Sequence, residues 1–288
     1  MAQPVSSDPQ LEALTALISG MGSVLVCYSG GIDSALVLAI AHRALGERAI
    51  GMTAVSPSLA SFEREGAIRV ARELGARHEL VDSSEIEDEN YARNDDRRCF
   101  YCKSELYRIA DKKKHEWGVA EVLNGTNTDD LGDYRPGLVA AKDAGARSPL
   151  VECNIGKTDV RRLAHLLGMP IWDKPASACL SSRLPYGTRV TRERLDQIGR
   201  LEDALHNMGL RQLRVRWHEV GDKAVGREGS IARVEIAEDE LERAFVLRKE
   251  IVDAGKKEGF SYVALDLQGY RTGSHNELLK GRSLRVVS

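Results

Sequence analysis

The sequence predicts an α/β protein, with a parallel sheet covered by helices on both faces across residues 1–188 and a smaller α+β domain across residues 189–288. Two observations carry that expectation. Up to about residue 180, short β-rich runs alternate with stretches of helical periodicity, the rhythm of strand–helix–strand units with right-handed crossovers. Beyond Pro185-Tyr186-Gly187 the rhythm changes to alternating strands and amphipathic helices, as in a mixed sheet. A chain of 288 residues is long for one domain and comfortable for two. It can bury its cores without disulfide or metal staples.

The elements follow in order. Asp8 before Pro9 is an N-cap with proline at the first helical position, and Leu11, Leu14, Leu17, Ile18 and Met21 recur at helical spacing. Ser23–Tyr28 is an apolar run of strand length that ends in a glycine turn. Ile32–Leu45 is rich in alanine and leucine, and Gly46 closes it as a C-cap. Ala49–Val55 is the next strand, Glu63–Leu74 the next helix and His78–Val81 a third strand. Leu106–Trp117 is helical, Glu121–Asn124 is a short strand, and Val160–Leu167 is helical again. In the second part, Arg192–Met208 carries apolar residues at 195, 198, 201, 205 and 208, one face of a helix. Leu213–Trp217 and Ala232–Ile236 alternate as strands do. Glu238–Gly255 is a charged amphipathic helix, and Tyr262–Leu267 is the last strand.

Hydrophobic residues at 42% and charged residues at 29% are ordinary for a soluble globular chain. A net charge of −2 gives no reason to expect a nucleic-acid partner, and 5% aromatic residues weaken any base-stacking surface. The N-terminal residues form neither a signal peptide nor a membrane span, so a cytoplasmic protein without a membrane partner is expected. There the five cysteines are thiols or metal ligands rather than disulfides.

Ser29-Gly30-Gly31-Ile32-Asp33-Ser34 stands where the first strand hands over to a helix. Two glycines let the backbone turn tightly and let a ligand approach without a Cβ in the way. Successive N–H groups and the helix N-terminus make an anion cradle, to which Ser29 and Ser34 add hydroxyls. The run lacks the lysine of a Walker A motif and the spacing of GxGxxG. An aspartate would repel bare phosphate, so Asp33 makes chemical sense as a Mg²⁺ partner. The bland alternative is a capped Gly-Gly turn. The run is similar to the signature of the PP-loop ATP pyrophosphatase superfamily, which includes NAD and GMP synthetases, argininosuccinate synthetase and several tRNA-thiolating enzymes. That resemblance implies ATP cleaved between its α- and β-phosphates and an adenylated acceptor, whose identity it leaves open.

Cys99-Phe-Tyr-Cys102 is a CxxC pair able to share one metal or form a redox disulfide. A zinc knuckle would need a second pair. Cys27 lies in an apolar strand and is expected in the core; Cys153 is unassigned; Cys179 sits in a small-residue stretch suited to packing on a ligand. Three thiolates suit a [4Fe–4S] cluster with one open iron, and a structural CxxC with Cys179 as a nucleophile suits the chemistry equally.

Ser29–Ser34, Arg98-Cys-Phe-Tyr-Cys-Lys103, Gly125-Thr-Asn-Thr-Asp-Asp130 with Asp133-Tyr-Arg-Pro-Gly137, Pro175–Arg183 with Pro185-Tyr-Gly187, and Leu213-Arg-Val-Arg-Trp-His218 together resemble the LarE family over nearly the whole chain. The resemblance implies an ATP-dependent sulfur transferase that adenylates the carboxylates of pyridinium-3,5-biscarboxylate mononucleotide and converts them to thiocarboxylates for the nickel-pincer nucleotide. It implies nucleotide contacts by Ser29, Gly30, Gly31, Ile32, Asp33, Ser34, Thr53, Gly125 and Thr126, with Asp33 catalytic through Mg²⁺. Single-cysteine members give up their own sulfur from the position of Cys179. Three-cysteine members hold a [4Fe–4S] cluster on residues matching Cys99, Cys102 and Cys179, so Cys179, the second catalytic position, is here a cluster ligand fed by sulfide or a cysteine-derived donor. A homo-oligomer, a hexamer by analogy, is implied too.

Arg214 and Arg216 alternate on one strand and share a face, and their forks match phosphate geometry, although a solvated strand face is equally compatible. Arg183 and Arg135 are further phosphate candidates. Asp130 and Glu202 are metal or substrate partners or plain surface acids. A tRNA-thiolating enzyme is disfavoured by the charge balance, and an amidating synthetase leaves CxxC without a task. A non-catalytic ATP-binding iron–sulfur sensor is the alternative of another class. The mixed-charge run Asp95–Arg98 is expected as a mobile loop.

Overall fold

The computed structural model describes residues 8–132, 136–174, 177–222 and 227–271. They fall into two compact units, Met1–Tyr91 with Asp95–Ser177 and Ala92–Asn94 with Ala178–Ser288. The division therefore lies at Ser177/Ala178 rather than at residue 188, and a short piece of the first half joins the second unit. The cause is Asn94. It is fully buried in the left-handed region at φ 59, and its amide donates to the carbonyls of Pro185 and Thr188, each at 2.8 Å. In return the Gly187 N–H donates to the Asn94 carbonyl and the Val190 N–H to that of Ala92.

In the first unit, α1 (Pro9–Ser19) starts at Asp8, whose carboxylate accepts from the N–H groups of Gln10 and Leu11. The sheet is parallel throughout and ordered β3-β2-β1-β4. Its strands are β1 (Val24–Cys27), β2 (Ala49–Val55), β3 (Arg77–Asp82) and β4 (Glu121–Leu123). Side chains alternate along β1, so Val24 and Val26 enter one core while Leu25 and Cys27 enter the other. α1, α2 (Ile32–Leu45), α3 (Ser61–Glu73), α7 (Pro149–Glu152) and α8 (Lys157–Leu166) supply the first core. α5 (Arg98–Trp117) and α6 (Pro136–Asp143) supply the second. Both sheet faces are thus covered, which lets β1 be apolar at every position. A single turn, α4 (Glu89–Ala92), precedes α5.

The second unit is a mixed sheet. β5 (Leu213–Asp222) runs antiparallel to β6 (Arg227–Ile236), and β6 pairs parallel with β7 (Tyr262–Leu265). α9 (Arg192–Asn207), capped by the Thr191 hydroxyl, buries Leu195, Ile198, Leu201 and Leu205, the periodic positions of its sequence. The helix expected over Glu238–Gly255 is two helices, α10 (Leu241–Val246) and α11 (Arg248–Lys257), separated at Leu247 where ψ is 10°. α5 begins at Arg98, well before the expected Leu106, and carries both thiols of the CxxC on its first turns. Part of the expected mobile loop is therefore helix: Arg98 is buried and its N–H donates to the Asp95 carbonyl. Among the described residues, no helix is long and apolar enough to cross a membrane.

Asn94→Ala loses the amide and forces a Cβ-bearing apolar residue into left-handed backbone, whereas Asn94→Gly loses the amide alone. Urea unfolding should place the alanine variant about 1–2 kcal/mol below the glycine variant, the usual left-handed penalty. Equal stabilities would refute this account of the position.

Candidate active site

The central strand delivers the phosphate loop. Tyr28 still bonds the Met52 carbonyl through its N–H, and the chain then turns at Gly30 with φ +74. A Cβ on Gly30 would lie 2.8 Å from the Ala67 Cβ, so both conformation and space require glycine. Two serines close the turn: Ser34 Oγ donates to the Gly31 carbonyl at 3.1 Å, accepts the Ser29 N–H at 3.2 Å and lies 3.1 Å from Ser29 Oγ. Gly31 is the N-cap of α2, and Ile32 is buried directly behind it. The first-turn N–H groups of α2 have no intrahelical acceptor and form the anion cradle. Gly125 backs the loop so closely that a Cβ there would stand 2.6 Å from the Ser34 nitrogen.

Asp33, in the first turn of α2, is held from two sides. Asn127 Nδ2 donates to Oδ1 at 3.0 Å and Lys157 Nζ to Oδ2 at 2.5 Å. The rest of the Gly125–Asp130 segment builds that arrangement. Asp130 accepts the Asn127 N–H at 3.1 Å, Asn127 Oδ1 accepts that of Asp129 at 3.0 Å, and Asp129 caps α8 by accepting the Lys157 N–H. Asp130, a candidate metal or substrate partner from sequence, is thus placed as a support for Asn127. Thr126 has its N–H on Asn124 Oδ1 at 3.0 Å. Thr53 is buried; its hydroxyl donates to the Tyr28 carbonyl at 2.7 Å and contacts His78 Nε2 at 2.8 Å. Burial holds the His78 imidazole below the ordinary range, favouring the neutral ring as the Thr53 partner. On the other flank Lys174 Nζ donates to the Gly30 carbonyl at 3.1 Å and to Glu63 Oε2 at 2.7 Å.

In the second unit the arginines separate by partner. Arg183 lies 2.9 Å and 3.0 Å from the two oxygens of Glu202, both residues buried, and its Nη1 reaches the carbonyls of Ala178 and Cys179. Glu202 also accepts the Val215 N–H at 2.9 Å. The pair braces the Cys179 segment from inside, so the reading of Glu202 as a surface acid is corrected. Arg216 bonds Glu235 at 3.0 Å and the Ser182 carbonyl at 2.7 Å. The solvated-face alternative fails as well, because Arg214 and Arg216 are both buried. Arg214 stacks with its guanidinium carbon 4.5 Å from the centre of the Tyr270 ring, and among the described residues no acid pairs with it. Burial lowers its pKa, and the like charges of Arg183 and Arg216 add to the shift; an anionic ligand would relieve both effects. Arg135 lies outside the described residues.

No disulfide joins any of the five cysteines. Cys99 is exposed and Cys102 half-buried, three residues apart on one face of α5 in the first unit, and Cys179 is exposed at the start of a short turn, Leu180–Arg183, in the second. Cys27 is enclosed in the core, where burial pushes its thiol up to about 12. Cys153 is partly buried against the first core, and burial raises it as well. Burial thus disfavours the thiolate at Cys27 and Cys153. Among the described residues, no three metal-ligating side chains converge.

Sequence reasoning assigns no role to Asn127, although it stands in the Gly125–Asp130 run, nor to Lys157, Lys174 or Glu63. Gly156-Lys157 at the head of a periodic helix is a visible pattern, but nothing local ties it to a loop over a hundred residues earlier.

Removing Glu202 leaves a buried guanidinium without its counter-charge. Glu202→Ala should lower stability by about 3–5 kcal/mol in thermal or urea unfolding. A surface acid serving only a metal or a substrate would leave the unfolding midpoint in place.

Comparison with known proteins agrees with this geometry. The asparagine synthase family model matches residues 12–95, the stretch from α1 through the phosphate loop to the approach to α5. An uncharacterized protein of Synechocystis sp. is 42% identical over 274 residues, covering 94% of this chain and 98% of its own. The pyridinium-3,5-bisthiocarboxylic acid mononucleotide synthase of Lactiplantibacillus plantarum is 36% identical over 276 residues, with 96% of each chain covered. An uncharacterized protein of Methanocaldococcus jannaschii is 30% identical over 249 residues, 86% of this chain and 91% of its own. With a parallel sheet, a phosphate loop at the exit of its central strand and end-to-end similarity to that synthase, the chain belongs to the LarE family of ATP-dependent sulfurtransferases built on the PP-loop fold.

Proposed function

We propose that this chain adenylates the carboxylates of pyridinium-3,5-biscarboxylate mononucleotide and replaces an oxygen of each with sulfur, supplying thiocarboxylates for the nickel-pincer nucleotide. The reading rests on the loop at the exit of β1, where an anion cradle and a charge-balanced aspartate occur together, and on the name of the Lactiplantibacillus relative.

A carboxylate oxygen is a poor leaving group. Attack of that oxygen on the α-phosphorus of ATP breaks the bond to the β-phosphate oxygen and releases pyrophosphate. The resulting acyl adenylate then accepts sulfide at its carbonyl carbon, and AMP leaves with the bonding electrons. Backbone N–H groups of Gly30–Ser34 bind the phosphates, and they require no proton to move. Asp33 suits Mg²⁺ because a carboxylate is a hard oxygen ligand, although its Oδ2 now holds the Lys157 ammonium; the ion would neutralise phosphate charge there. Thr53, Gly125 and Thr126 act on nucleotide through the loop's shape, Thr53 by holding the Tyr28 carbonyl and Gly125 by making room for Ser34. The mixed anhydride is water-sensitive, which favours a site closed to solvent.

Arg214 is the phosphate contact on the substrate, and Arg183 and Arg216 are the braces behind it. Cys99, Cys102 and Cys179 are the residues that would hold a [4Fe–4S] cluster, since Cys27 is enclosed in the core and Cys153 packs against the other core. Such a cluster, when bound, would supply the sulfide. The enzyme acts in the cytoplasm as a homo-oligomer.

Exchange of labelled pyrophosphate into ATP, dependent on the pyridinium mononucleotide, is the direct assay. The wild type should exchange and release AMP; Asp33→Asn should lose at least a hundredfold, or about 2.7 kcal/mol of transition-state stabilisation. ADP as the spent nucleotide would end this reading. Anaerobically purified protein should carry about four irons per chain, and Cys99→Ala should bleach it; a colourless, zinc-loaded preparation would rule the cluster out.

A further inference from the structure

Lys157 belongs to none of the sequence motifs, yet its Nζ makes a 2.5 Å contact with the one carboxylate in the phosphate loop. We propose that Lys157 is a built-in counter-cation that occupies the metal-binding oxygen of Asp33 in the nucleotide-free enzyme, and that it yields that oxygen to a divalent ion only when phosphate arrives to receive the ammonium. The inference rests on the reading of Asp33 as the metal partner and adds to it an order of binding.

The two oxygens of Asp33 are held differently. Oδ1 accepts from the neutral amide of Asn127 at 3.0 Å, a contact compatible with a cation elsewhere on the carboxylate. Oδ2 carries the ammonium, and a metal ion arriving there competes with it, since two cations held against one oxygen repel each other. The displaced group cannot leave the site. Its backbone N–H is fixed by Asp129 at the first position of α8. The preceding Gly156 packs so tightly there that a Cβ on it would stand 2.9 Å from Asp129 Oδ2. The Lys157 side chain is about one-third exposed, so it has room to turn.

The direction follows from charge. With neither metal nor phosphate, Asp33 and Lys157 cancel. Metal alone leaves an ammonium without an acid beside a divalent ion, which is repulsive. Phosphate alone meets a neutral pair. Metal with phosphate satisfies every charge: Asp33 and phosphate oxygens on the ion, the Lys157 ammonium on the remaining phosphate oxygens. The two ligands are therefore coupled through one side chain, and by linkage each tightens the other.

The test is Mn²⁺ binding to the full-length protein, followed by electron paramagnetic resonance, with and without inorganic pyrophosphate. Without pyrophosphate, Lys157→Met should bind Mn²⁺ about tenfold more tightly than wild type, because the competitor is gone. Lys157→Arg should stay near wild type, because the charge is kept. Pyrophosphate should tighten Mn²⁺ binding less in Lys157→Met than in wild type. Lys157→Gln provides the same neutralisation should the methionine variant fail to fold. Asp33→Asn separates the two ideas. If it abolishes Mn²⁺ binding while the neutral Lys157 variants bind as wild type does, the placeholder role is overturned and the metal reading stands. If Asp33→Asn binds Mn²⁺ unchanged, the metal reading falls and takes the placeholder with it.

Discussion

A carboxylate in the middle of an anion cradle is the constraint on which this structure turns. Asp33 occupies the first turn of α2, where the helix N-terminus favours negative charge, but the same N–H groups must also receive phosphate. Left bare, the aspartate would oppose the ligand. The fold answers with distant chain: Asn127 from the loop after β4 and Lys157 from the head of α8 both reach it. Much of the first unit can be understood as holding those two residues in place. β4 pairs with β1 so that Asn127 arrives beside the loop, Gly125 allows the close approach, and Asp129 fixes the start of α8.

The phosphate loop is legible in the sequence because its cause is local. Strand, two glycines and helix are contiguous, and each choice has one physical explanation: φ +74 at Gly30, contact with Ala67, and serines that cross-link the turn. Periodicity finds α9 because period and burial coincide there, and an unbroken apolar run finds β1 because both of its faces are buried. Where charge is buried, the sequence misleads. Arg98 has charged neighbours that suggest a loop, and Arg183, Arg216 and Glu202 look solvent-facing or ligand-facing. All four are buried, and Arg183, Arg216 and Glu202 stand in ion pairs and carbonyl contacts that only the tertiary structure reveals.

The break at Leu247 and the early start of α5 have a related cause. Helical propensity is strong across Glu238–Gly255, yet Leu247 leaves helical backbone at ψ 10° and divides the stretch into α10 and α11. At α5, the Arg98 N–H finds the Asp95 carbonyl, and Arg97 stacks near the rings of Phe100 and Tyr101. Tertiary packing and local stacking override what composition alone suggests.

The buried ion pairs also sort the second unit's arginines by what each can still do. A guanidinium locked on two carboxylate oxygens has its fork filled, and releasing it would strand a charge in the core. Arg183 is in that state, and Arg216 has Glu235 and a carbonyl. Their positive charge remains, however, and it acts on Arg214, whose pKa is lowered first by burial and then by Arg183 and Arg216, against the opposing pull of Tyr270 and Glu235. Three clustered cations with two buried acids among them leave a local excess of positive charge, and Arg214 is the one of the three that stacks on a ring, while Glu202 and Glu235 pair with Arg183 and Arg216. A phosphate-bearing substrate is the simplest ligand that such an excess would favour, because it brings charge, fork geometry and relief of burial together.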